Sequence, residues 1–352
     1  MNTFRAKAKT ILIVLLSLIA VGGYAKSPQT TQGKEVWAFS IDNDLFIPGT
    51  SEDVDFTGGM AFTYAGKRGE KYWNIFDNTL ASIDRLSNIG DENSSITPSI
   101  EFGVYGFTPE VIDVPELLEN DRPYASLVYL SAGRIYQEQP GGNAWFSSLT
   151  IGALGFDWFG DIQNDMHRLV NNGQAKGWDN QVSDGGEITF RYQLAYLDYW
   201  ERNAEKASQQ LKTTYFASVG YLTELGVAIS SRQGLISSPS NRFNPELISY
   251  GERVNEVVAT PAGGKENYFW GGVALKARLY NAFLQGQFKH SEHVLSRDEV
   301  RPLLVEAWAG YTLTLGRDFK FSYVIRGQSS EIRSGEGDRH LVWGGLVLSQ
   351  TI

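Results

Sequence analysis

Long runs of strict apolar–polar alternation constrain this chain more than any other feature. Val305, Ala307, Ala309, Tyr311, Leu313 and Leu315 fall on one side of a period-two pattern, and Glu306, Trp308, Gly310, Thr312 and Thr314 on the other. Phe319, Phe321, Tyr323 and Ile325 oppose Lys320, Ser322, Val324 and Arg326 in the same way, after a tight Gly316-Arg317 connection. Trp145, Leu149, Ile151 and Ala153 repeat the pattern. A period of two is the mark of a strand with two unlike faces.

Read this way, the sequence predicts strands over 35–42, 56–66, 98–106, 124–136, 145–155, 186–199, 212–226, 267–280, 282–289, 303–315, 318–327 and 338–349. Many exceed the usual strand of a soluble sandwich, roughly five or six residues. An even count suits a closed, up-and-down sheet. The expectation is an all-β fold, a transmembrane antiparallel β-barrel of about 12 strands. Its apolar face meets lipid and its polar face fills a narrow lumen. A soluble β-sandwich is the alternative, and the terminal Ser349-Gln350-Thr351-Ile352 lacks the aromatic residue on which such barrels commonly end.

The compartment agrees with a barrel. Arg5, Lys7 and Lys9 precede an apolar run from Ile11 to Val21, and Gly22-Gly23-Tyr24-Ala25 offers small residues for cleavage, so residues 1–25 read as a signal peptide. The run is short for a membrane span of roughly 20 residues. Residues 26–352 then form one domain without internal repeats. No cysteine is present, so nothing relies on a disulfide. A net charge of −9 argues against nucleic acid as a partner. The 37 glycines, 17 Tyr, 19 Phe and 9 Trp suit a barrel with aromatic girdles. Long connections are read over 66–98, 157–185, 230–267 and 290–302, with such loops placed outside the cell and short turns on the periplasmic side.

Five polar motifs stand apart from the alternation. Asn43-Asp44 follows the first strand, and its oxygens suit Ca²⁺ or an ordinary turn. Asp53-Val54-Asp55-Phe56-Thr57-Gly58-Gly59 opens the second strand; its glycines read as a kink or bulge, and Thr57 would lie near Asn43 if the two strands form a hairpin. Asp121-Arg122-Pro123-Tyr124-Ala125 reads as an ordered turn, with Arg122 tied to Asp121 or to a phosphate. The stretch from Asp157 to Gln181 is helix-like near 160–172 and sets Gln163 and His167 four residues apart, on one helical face. Histidine, with an ordinary pKa of about 6.5, can serve as a general base. Gly177-Trp178-Asp179-Asn180-Gln181 closes the stretch. His290 and His293 could form a metal pair but lack an obvious third ligand. There is no G-x-S-x-G elbow and no H-E-x-x-H motif.

Taken in order, Asn43-Asp44, Asp55–Gly59, Asp121–Ala125, Gln163-Asn164-x-x-His167 and Gly177–Gln181 resemble the outer-membrane lipid A 3′-O-deacylase family over most of the mature chain. The resemblance implies a Ca²⁺-dependent esterase that removes the 3′-linked acyl or acyloxyacyl chain of lipid A, with lipopolysaccharide and outer-membrane lipids as partners. It implies His167 as the base that activates water, Asp44 as a calcium ligand, Asn43 and Thr57 as polar groups around the ester, and Gln163 beside the base. Six positions after the histidine, where the family carries an acidic residue, this chain has Gly173. A second carboxylate would then come from Asp157, Asp161, Asp165 or Asp184. That departure keeps open a non-catalytic barrel, structural or transporting, of the same fold.

Overall fold

In a computed structural model, which describes residues 35–48, 55–66, 70–89, 95–137, 142–170, 173–200, 209–238, 240–254, 264–316 and 318–352, the alternating segments become one closed wall. Its strands are β1 (Val36–Asn43), β2 (Asp55–Ala65), β3 (Ser95–Thr108), β4 (Ala125–Gln137), β5 (Ala144–Leu154), β6 (Glu187–Tyr199), β7 (Gln209–Gly220), β8 (Leu222–Leu235), β9 (Asn267–Asn281), β10 (Leu303–Leu315), β11 (Phe319–Gln328) and β12 (Leu341–Thr351). Each pairs antiparallel with its sequence neighbours, and β12 closes on β1 from Val36↔Thr351 to Asn43↔Gly344. Closure removes the sheet edges that would otherwise expose unpaired backbone groups to lipid. The signal-peptide reading of 1–25 lies outside the described residues.

Burial is inverted relative to a water-soluble domain. Arg191, Arg232, Arg253 and Arg326 are fully buried, whereas Ile188 is 82% exposed, Phe269 70% and Leu303 65%. Along β3, Glu101, Tyr105 and Phe107 face the lumen, so Phe102, Val104, Gly106 and Thr108 face outward by the period of two. The barrel reading holds, with apolar side chains outside and paired charges packed among aromatic rings within.

Two strand assignments are corrected. The segment 212–226 is not one strand but the junction of β7 and β8. Gly220 has φ +133, and a Cβ there would lie 2.0 Å from the Phe190 carbonyl oxygen, so the chain reverses at a point no side chain could occupy. The segment 282–289 is not a strand: the Asn281 side chain accepts a hydrogen bond from the Phe283 N–H and caps a short helix, Ala282–Gln285, which Gly286 ends at φ +66. One split and one loss leave the count at twelve.

Strand parity also relocates two long connections. The segments around 157–185 and 290–302 lie at the rim opposite the termini, but those joining β2 to β3 and β8 to β9 lie at the termini's end. The first carries helix α1 (Glu70–Leu86) and the second runs back into the lumen, so neither is an external loop. Helix α2 (Phe159–Val170) belongs to the β5–β6 connection, close to the expected 160–172.

Candidate functional site

The site begins at the outer rim of β1 and β2. Asp42 faces the lumen, where it pairs with Arg253, so Asn43 faces outward. Its amide is oriented by two bonds: Oδ1 accepts from the Leu45 N–H at 2.7 Å, and Nδ2 donates to the Thr57 carbonyl at 2.5 Å. Thr57 is the extra residue of a bulge, since Phe56 pairs with Phe107 and Gly58 with Gly106. The bulge turns Thr57 outward, with its Oγ1 2.8 Å from that of Thr108. Gly58 has φ +148, and a Cβ there would sit 2.8 Å from the Asp42 carbonyl oxygen. The glycine pair thus reads as the expected bulge, and it brings Asn43 and Thr57 together.

Helix α2 lies against this outer wall rather than over the lumen. The Phe159 ring occupies the space a Cβ on outward-facing Gly106 would need, 2.4 Å from that position. Trp178 wedges behind the helix, with ring centroids 5.0 Å from both Tyr124 and Phe159. Gly160 leaves it room, and Gly177 leaves room for the Tyr124 ring. Asn164 exchanges two hydrogen bonds with the Ala175 backbone, at 2.9 and 2.7 Å, which pins the returning chain to the helix.

Gln163 and His167 share the helical face turned to the wall, and both are buried. The Gln163 carbonyl accepts from Trp178 Nε1 at 2.7 Å. His167 Nδ1 meets the Gly173 carbonyl, an acceptor only, so that nitrogen carries the proton and Nε2 becomes the basic atom. Between helix and wall runs a cleft of about 580 Å³, partly open to solvent, lined by Asn43, Thr57, Gln163 and His167 and by apolar Ile41, Met60, Val104, Ile162 and Met166. A mostly apolar cleft with a few convergent polar groups suits a ligand that is largely hydrocarbon.

Asp44 is buried in a one-turn helix beside Asn43 but does not line the cleft. Among the described residues no three His, Cys, Asp or Glu side chains come together in an arrangement that could hold a metal ion. The four acids considered as a second ligand are engaged or remote: Asp157 accepts from the Gly185 N–H, Asp165 pairs with Arg168, Asp184 accepts from Gln181, and Asp161 is exposed. The described side chains therefore do not complete a calcium shell of six to eight oxygens.

Arg122 is structural. Its guanidinium meets Asp55 at 3.2 Å and Glu331 at 2.8 Å, and its backbone N–H donates to Asp121. Arg339 bridges Asp55 and Asp121 at 3.0 and 2.9 Å, so one ionic network ties three rim connections together. Burial opposes ionisation of Glu331, but the guanidiniums of Arg278 and Arg122 outweigh it and hold its carboxyl below the usual range. His293 Nε2 lies 2.9 Å from the Asp121 carbonyl oxygen.

Four of the five sequence-derived candidates thus meet in one cleft, and Asp44 stands beside it. The residue that sequence reasoning passed over is Trp178. It lay within a quoted motif, but only the structure shows its indole holding Gln163 and α2.

The family model for the outer membrane protein LpxR matches residues 11–352. Among solved structures, the chain is similar to LpxR from Salmonella typhimurium at 15% identity and a TM-score of 0.69, covering 90% of this chain and 100% of that one. The KdgM porin (4% identity, TM-score 0.38, 90% and 99% covered) and the translocator domain of autotransporter NalP from Neisseria meningitidis (9%, 0.40, 100% and 98%) match more weakly. No curated protein matches the chain in sequence.

Proposed function

Because the chain belongs to the LpxR family of outer-membrane proteins, we propose that it is a lipid A 3′-O-deacylase, an esterase that removes the 3′-linked acyl chain at the outer leaflet. One observation carries this reading: His167, with its proton fixed on Nδ1, faces an apolar cleft on the lipid-facing side of the wall. A lipid ester can reach such a cleft from the membrane plane.

In this reading His167 Nε2 takes a proton from water as the water oxygen bonds to the ester carbonyl carbon. The second N–H of the Asn43 amide, and the Thr57 hydroxyl when Thr108 donates to it, stabilise the oxyanion. The carbon–oxygen ester bond then breaks. The imidazolium returns its proton to the leaving sugar oxygen, giving a free fatty acid and a 3-hydroxyl. Gln163 acts by position, since its carbonyl is engaged with Trp178. Calcium remains part of the proposal, with Asp44 as one of its ligands, and no step is assigned to it. A transport barrel would need an open lumen, and this lumen is filled by its own chain, which favours the enzymatic reading.

The test is mass spectrometry of lipid A from cells expressing the protein. Expected is loss of one 3′-linked acyl substituent, reduced by about 10²–10⁴-fold in rate for His167→Ala. The variant should keep heat-modifiable barrel mobility on gels. A chelator should suppress the activity and added Ca²⁺ restore it. An unchanged lipid A profile with the wild-type barrel correctly inserted would overturn the reading.

A further inference from the structure

Helix α1 (Glu70–Leu86) sits where a soluble-protein helix would not. It docks on the outward face of β4, β5 and β6, near the end of the barrel that carries both termini. Glu101 and Ser131 pair across β3 and β4 with Glu101 in the lumen, so Ala132, Arg134 and Tyr136 point outward, as do their partners Leu149 and Ser147. Leu80 packs fully buried on Ala132 and Leu149, with Phe76, Ile83 and Tyr192 around it.

The polar contacts are as specific as the apolar ones. The Asp84 carboxylate, fully buried, accepts from Tyr136 Oη at 2.7 Å, Ser147 Oγ at 2.7 Å and Tyr192 Oη at 2.9 Å. Asp77 accepts from Arg134 Nε at 2.8 Å. A guanidinium and three hydroxyls on a lipid-facing wall would be costly if left bare. The helix supplies their partners, so it is part of the membrane-facing surface and not a pendant loop.

Its outer side has two flanks. Ile75 and Leu86, 86% and 89% exposed, are eleven residues apart, three helical turns, and so lie on one line. Asn78 and Arg85, seven residues apart, form a polar line turned roughly 60–100° from it, whereas Ser82, seven residues after Ile75, falls on the apolar line itself. The apolar line is continuous with the exposed apolar wall of the neighbouring strands, where Trp145, Ile151 and Phe102 are also uncovered.

We propose that α1 is an interfacial helix seated in the phospholipid monolayer on the periplasmic side, with Ile75 and Leu86 among acyl chains and Asn78 and Arg85 toward headgroups and water. The occupant of this surface is phospholipid, and even strand number places it: both termini, and hence the β2–β3 connection that carries α1, share the end opposite the 157–185 and 290–302 connections, which is the periplasmic end. The Asp77 and Asp84 clamps fix the helix's depth.

The absence of cysteine makes the test direct. Single variants Ile75→Cys, Asn78→Cys, Arg85→Cys and Leu86→Cys of the full chain are spin-labelled and reconstituted in phosphatidylethanolamine–phosphatidylglycerol vesicles. Heat-modifiable mobility checks that each is folded. Collision with oxygen, which partitions into lipid, is compared with collision with a water-soluble nickel chelate. The expected result is oxygen dominating at 75 and 86 and the order reversing at 78 and 85. Nickel dominating at all four positions would overturn the proposal by placing the helix in water. Low access to both reagents at 75 and 86 would overturn it by showing that protein, such as a second copy, covers this face.

Discussion

Gly106 and Gly173 bear on the same histidine in opposite ways. At Gly106 a Cβ would fall 2.4 Å from the Phe159 ring, which Tyr124 and Trp178 hold from behind. At Gly173 a Cβ would meet nothing within 4 Å, while the carbonyl of that residue meets His167 Nδ1. Gly106→Ala should therefore push α2 off the wall. A displacement of about 1 Å can cost about 10²-fold in rate, so deacylation should fall steeply while the barrel keeps its heat-modifiable mobility. Gly173→Ala should leave the deacylation rate close to wild type. Equal losses from the two variants, measured as lipid A turnover, would contradict this geometry. At this scale the sequence was informative where chemistry and spacing coincide: Asn43, Thr57, Gln163 and His167 announced themselves as polar groups at the ends of strands or on one helical face. Trp178 and the Gly173 carbonyl did not. An indole reads as packing wherever it stands, and a backbone oxygen carries no sequence signature.

Strands and helices differ in how their surroundings rewrite them. Alternation survives burial against lipid because the inside-out wall still has two unlike faces, which is why ten of the twelve strands were legible. The β7–β8 turn was hidden because the reversal at Gly220 is too tight to interrupt the apolar pattern. Helix α1 was passed over although Phe76, Leu80 and Ile83 recur at helical spacing, since 66–98 was read only as a long connection between strands. Those acids are what dock it. Asp84→Ala removes one carboxylate and leaves three hydroxyls of the wall without their shared acceptor. The loss should weaken docking by roughly 2–5 kcal/mol, given charged hydrogen bonds of about 1.5–3 kcal/mol each and incomplete additivity. The measurable result is rapid proteolytic cleavage within 70–86 in a barrel that otherwise resists protease. Unchanged protection of that segment would show that Leu80 and its apolar neighbours suffice to hold the helix.

At the scale of the whole molecule, the β8–β9 connection decides what the barrel can be used for. Its serines, asparagines and charges read as plain exposed loop, since composition records polarity and not position. In the structure residues 240–254 fill the lumen and touch the wall on all sides. Glu252 accepts from Tyr105, Thr150 and Tyr221, Glu246 pairs with Lys212, Tyr250 donates to Glu331, and Arg253 pairs with Asp42 and donates its backbone N–H to Glu101. Charges so deeply buried persist only when paired, and breaking such a pair costs about 3–5 kcal/mol because the remaining charge is stranded. The plug is therefore held by mutual dependence: Arg253 satisfies Asp42 in β1 while its backbone satisfies Glu101 in β3, and neither acid has water to fall back on. Reconstituted in a planar bilayer, the wild-type chain should show no steady ion conductance. Replacing 240–254 by a short Gly/Ser turn should open a steady current through a lumen still lined by Arg191, Glu224, Arg278 and Glu306. Steady conductance by the wild type would mean that the plug leaves a water path, and would return the transport reading to equal footing with the enzymatic one.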